Sequence, residues 1–138
     1  MAGTTTISSS DPLQEPRGAG VLKRVGQKIV IDWTSDASGD VNGTSIQLYG
    51  FLVKVITNPS GSAAPTDNYD FYLTDPEDAA LDLMGNACEN RDTANTEQVY
   101  PVISGAATPP YANGVYGIKI ANAGNAKQGR VILFLLTD

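Results

Sequence analysis

The closing run Arg130-Val-Ile-Leu-Phe-Leu-Leu136 most narrows what this chain can become. After Arg130 it is wholly apolar and too short to cross a bilayer, and Val131, Ile132 and Phe134 favour extended backbone, so it predicts a strand buried on both faces. The preceding stretch, Gly114-Val-Tyr-Gly-Ile-Lys-Ile-Ala121, alternates, with Tyr116, Ile118 and Ile120 on one face and Val115, Gly117, Lys119 and Ala121 on the other. Between the two, the Asn- and Gly-rich Asn122–Gly129 tolerates the positive φ of a chain reversal, which predicts an antiparallel hairpin. A lone hairpin is marginal in water, so this one must pack on strands earlier in the chain.

Those strands are readable. Val21, Lys23 and Val25 share a phase that resumes at Ile29, Ile31 and Trp33, predicting one long strand or two short ones with a bulge at Gly26. In Thr44–Thr57, Ile46, Leu48, Leu52 and Ile56 take one phase while Tyr49, Phe51, Val53 and Val55 take the other. Gly50 marks a bulge or a close approach there. Tyr69, Phe71 and Leu73 alternate with Asp70, Tyr72 and Thr74, and Glu97–Ser104 resumes strand character with Pro101 confining it to an edge or bend. Asp75-Pro-Glu-Asp reads as a capped helix start continued through Ala79–Met84 and stopped at Gly85.

The expected fold is therefore all-β, a β-sandwich or jelly roll with one short inserted helix. A single domain, 21–138, follows an extended N-terminal arm, 1–20, which is rich in Thr, Ser, Pro and Gly and has only Ile7 and Leu13 as large apolar groups. The arm is expected to be a frayed tail or, alternatively, to order on a partner surface, for example by adding to a sheet edge there. Trp33, Leu48, Leu52, Phe71, Tyr116, Ile118, Ile132 and Phe134 form the expected core. Tyr49–Ile56 and Val131–Leu136 carry more apolar surface than one sandwich face covers, which predicts a subunit interface and a homo-oligomer, dimer or trimer.

The same residues exclude much chemistry. A net charge of −6 and a pI near 4.4 disfavour nucleic acid, whose phosphates need clustered Lys and Arg. Histidine is absent, which removes the usual general base and the commonest transition-metal ligand. Cys88 is the single cysteine and reads as a small packed residue. The first residues have neither a basic start nor an apolar stretch, so a membrane partner is not expected and the cytoplasm is the simplest site of synthesis. Asp36, Ser38, Asp40 and Asn42 have the look of a calcium loop, but Val41 and Gln47 stand where an EF-hand requires Gly and Glu, and a polar hairpin turn is expected instead. Asp75, Glu77, Asp78 and Asp82 read as a solvated acidic helix end, and Arg91 as a local loop tie. Tyr100 and Tyr111 are the candidates for stacking on a sugar. The chain is not expected to be an enzyme: no catalytic, cofactor or metal residue is assigned.

Three stretches carry a resemblance: Val53-Lys-Val-Ile-Thr-Asn-Pro with Ala64-Pro-Thr-Asp-Asn-Tyr-Asp70, then Asn90-Arg-Asp-Thr-Ala-Asn-Thr-Glu-Gln-Val-Tyr-Pro101, and Gly114 to Leu136. From about Ile46 onward the chain resembles small proteins encoded among the virion structural genes of tailed bacteriophages. That resemblance implies a decoration or cement protein on the capsid surface of a virion, made in the host cytoplasm. Its partners would be the major capsid protein and copies of itself, with a head-tail connector or tail component as the nearest alternative.

Overall fold

The computed structural model describes residues 2–10 and 26–136. Among them every regular element is a strand: β1 (Thr4–Ser10), β2 (Gln27–Thr34), β3 (Val41–Pro59), β4 (Asp70–Thr74), β5 (Glu97–Val99), β6 (Val102–Ile103), β7 (Ala106–Ala107), β8 (Tyr111–Ala121) and β9 (Gln128–Leu136). One antiparallel sheet runs β1-β2-β9-β3-β8-β4, with β5 added beside β3, and β6 and β7 form a separate two-stranded ribbon. Pro101 lies between β5 and β6 and breaks the expected Glu97–Ser104 strand in two.

The C-terminal hairpin is corrected. β9 pairs with β2 and β3, whereas β8 pairs with β3 and β4, so β3 lies between the two strands that are adjacent in sequence. The 19 residues of β3 make this possible, because Val41–Phe51 lies along β8 and Phe51–Pro59 along β9. A straight strand of that length would span about 60 Å. Yet Ile120 is opposite Val41 and Gly129 opposite Pro59, and the chain between Ile120 and Gly129 reaches at most about 30 Å. β3 must therefore bend, and the sheet folds over at the bend. Trp33 on β2 consequently meets Tyr69, beside β4, with ring centroids 5.6 Å apart, although β9, β3 and β8 intervene along the sheet.

The bend has a local cause. Gly50 is buried with φ of 118°, a backbone that L side chains rarely adopt, and the pairing with β9 slips by one residue between Leu52 and Lys54. Val53 is the extra residue of a β-bulge, which bends a strand and sharpens its twist. It also inverts the phase of everything that follows. Ile46, Leu48 and Leu52 point inward before it, and Val55 and Thr57 after it, so Ile56 turns to the outer face and Val55 takes its place in the core.

Strand β9 needs a related correction. Its buried residues are Val131, Leu133 and Leu135, and Ile132 and Phe134, expected in the core, are half-buried on the outer face with Arg130. The other six expected core residues, Trp33, Leu48, Leu52, Phe71, Tyr116 and Ile118, are buried. Of the expected arm, Thr4–Ser10 is the edge strand β1, in register from Thr4 opposite Thr34 to Ser10 opposite Lys28. The remainder of the arm, and Val21, Lys23 and Val25, lie outside the described residues.

The short inserted helix at Asp75–Met84 is not formed. Its cap is real: the Asp75 Oδ1 accepts from the backbone N–H of Glu77 at 2.7 Å and of Asp78 at 3.3 Å. Instead of propagating, the chain turns back on β4, with Asp75 donating to the Leu81 carbonyl and Leu83 to the Leu73 carbonyl. The Asp82 carboxylate completes the turn by accepting from the amides of Leu73, Met84 and Asn86. Tertiary hydrogen bonds thus take the donors that a two-turn helix, short and costly to nucleate, would have used.

Candidate interaction surface

The alternation that buries one face of β3, β8 and β9 delivers the other to solvent, and near the bend that outer face is apolar. Phe51 is directly opposite Tyr111 on one side and Leu136 on the other; Tyr49 lies one step further along β3, opposite Asn113, and Val115 two steps further along β8, opposite Gln47. All five are about half exposed, from 47% for Phe51 to 58% for Tyr49. The rings are organised as a unit, since Tyr111 meets Phe51 edge-on at 5.3 Å and Tyr49 at 6.2 Å. Such tilted contacts place a ring edge against a π-face and hold the group in one arrangement. The Tyr49 hydroxyl, beside that of Tyr111, holds the Tyr111 phenol above its ordinary pKa.

Two features extend this surface. Pro110 accepts a backbone hydrogen bond from Leu52 at 3.0 Å, so the chain leading into β8 runs beside the bulge. There Val53, Tyr100, Pro101 and Pro109 line a shallow, largely apolar depression of about 270 Å³. On the other flank Lys54 lies 5.0 Å above the Phe134 ring while donating to Gln98 at 2.9 Å. No carboxylate is among these groups, although the whole chain carries −6. By the usual area of an aromatic side chain, the five half-exposed residues present roughly 500 Å² to water. That is at the upper end of what a monomer leaves uncovered.

The residues singled out from sequence fall in different places. Tyr111 belongs to this surface and Tyr100, 60% exposed, to its margin, so the two sugar-stacking candidates sit on one apolar region. Asp36 is elsewhere, its Oδ1 accepting from the amides of Ser38 and Asp40, both at 2.9 Å. The Asp36–Asp40 loop joins β2 to β3, which are not neighbours in the sheet, so it is a crossing link and not the expected hairpin turn. Among the described residues no group of three or more His, Cys, Asp or Glu comes together.

Asp75, Asp78 and Asp82 each accept from amides of their own turn. Burial raises the Asp82 pKa above the ordinary carboxylate value, and its three amide donors only partly offset that. Arg91 does tie its loop, donating to the Glu89 carbonyl through Nε and Nη2 and lying 3.5 Å from Glu97, a partner the adjacent sequence did not suggest. Cys88 is fully buried, and burial pushes its thiol up to about 12.

Sequence reasoning found the apolar surplus of β3 and β9 but not its location. The missing signal was Arg130: a charged residue at the head of an apolar strand marks the outward phase, and from it Ile132, Phe134 and Leu136 follow outward. Comparison of the chain with known protein families, with curated proteins and with solved structures finds no match.

Proposed function

We propose that this protein is a structural subunit that works by binding, joining copies of itself through the Tyr49, Phe51 and Tyr111 surface and attaching to a larger particle. The observation that carries the reading is the organised, uncharged, half-exposed aromatic group on an otherwise acidic chain. The described residues of two such faces can meet without bringing carboxylates together, and each supplies more than half of the roughly 800 Å² per partner of a stable interface. The fold-over at β3 supports a β-sandwich, with β4, β8 and the first half of β3 as one layer and β1, β2, β9 and the second half as the other.

Within that class, the resemblance of Val53–Pro59, Asn90–Pro101 and Gly114–Leu136 to tailed-phage virion proteins favours a decoration or cement protein. A subunit that binds only the assembled shell shifts the equilibrium toward it by mass action. Binding, not turnover, fits a sequence without histidine whose clustered acids hold backbone amides. Imaging of purified particles tests this directly. The reading expects density for the chain in many copies over the capsid surface. A single ring at one vertex would make it a connector component, and its absence from particles would refute the assignment.

A further inference from the structure

Toward the far end of β9 the outer face changes character. Cross-strand register places Thr6, Asp32, Arg130 and Asn58 in one row over β1, β2, β9 and β3, and Thr4, Thr34 and Gln128 in the next. With the turn at Pro59–Gly61 as a wall, these residues line a groove of about 500 Å³, within the range of small-ligand sites.

The chemistry of the groove is specific. Arg130 donates to Asp32 through Nε at 2.6 Å and Nη2 at 3.1 Å, a two-point pair that cancels both charges and fixes two planar groups in place. The two side chains remain about half exposed, at 49% and 47%. Asn58 Oδ1 accepts from the Thr96 hydroxyl at 3.1 Å, which leaves the Asn58 amide N–H groups as donors. Hydroxyls of Thr4, Thr6 and Thr34 and the Gln128 amide supply both donors and acceptors. An anion would have to pull Arg130 from Asp32, and the polar side chains alternate with apolar surface at Pro59 and its neighbours, as a sugar ring with polar edges and apolar faces requires. The complement of such a site is uncharged, dense in hydroxyls and extended over two rows of side chains.

We propose that this groove binds a neutral oligosaccharide. Asn58 and Phe51 are about 20 Å apart along β3, so association through the aromatic surface leaves the groove open, and the two activities stand or fall separately.

The test is saturation-transfer NMR on the full chain with neutral trisaccharides of glucose, galactose, mannose and N-acetylglucosamine, followed by titration of any that respond. At least one shows transfer. Its Kd rises by about 10-fold or more in the Asn58→Ala/Gln128→Ala variant, with Thr6→Ala as a second, single-site variant weakening it in the same direction. Melting temperatures of both variants stay at the wild-type value, and Tyr100→Ala and Tyr111→Ala leave Kd unchanged. Absence of transfer to every probe at millimolar concentration overturns the proposal. So does binding that survives the groove variants or is lost with the tyrosines.

Discussion

Asp82 shows how one side chain redirects a segment. Its two oxygens accept from three amides, at 2.8 Å from Leu73, 3.2 Å from Met84 and 2.9 Å from Asn86, and so join β4 to the turn after it. Asp82→Ala strands those donors, of which the Leu73 amide is in the core. The expected loss is about 2–4 kcal/mol in denaturant unfolding; a loss within experimental error would show that the turn is held by its backbone alone. Gly85 adds a second constraint, since φ is 62° and a side chain there would run into the Val102 carbonyl. The sequence signals at Asp75 and Gly85 were genuine, but they belong to a cap and a close approach, and no helix lies between them. Local pattern carries no information about which strand will compete for an amide.

Cys88 and Tyr69 set the alkaline behaviour. Burial pushes the Cys88 thiol from 9.0 to about 12 and the Tyr69 phenol from 10.0 to about 12. Above pH 9 the unfolded chain releases these protons while the folded chain retains them, so the unfolded state binds fewer protons and stability falls as pH rises toward 12. Native protein should resist iodoacetamide at pH 9 and react fully once denatured. Rapid modification of the folded chain would place the thiol at the surface.

At the scale of elements, the bulge at Val53 decides which residues of β3 are core. The uninterrupted alternation from Ile46 predicted Ile56 inside, and nothing in composition marks Val53 as the extra residue; the slip becomes visible only against β9. Gly50 was legible as an irregularity, three residues from where the register changes. A paired substitution tests the phase: Val55→Ala should cost about 2–3 kcal/mol from the cavity it leaves, whereas Ile56→Ala, on the outer face, should cost less than half as much. Equal losses, or the reverse order, would contradict the bulge. The same blindness explains the missing hairpin. Adjacent alternating segments argue for pairing, but a 19-residue strand that bends can insert between them and pair with both.

For the whole molecule, the all-β class was legible because periodicity is a local property, whereas the nine strands of the described residues exceed those the alternation marked, and the fold-over had to come from chain connectivity. The surplus of apolar residues in β3 and β9 was equally legible, and the folded chain sorts it into a buried half and the outer aromatic group. Self-association through that group is the claim on which the functional account rests. Sedimentation velocity of the wild-type chain and of Phe51→Asp/Tyr111→Ser over a wide concentration range measures it most directly. The account predicts a wild-type oligomer and a variant that sediments as a folded monomer, its melting temperature lowered only by the loss of the stabilisation that association supplies. A wild-type chain that is monomeric throughout, or a variant that assembles as the wild type does, would contradict it.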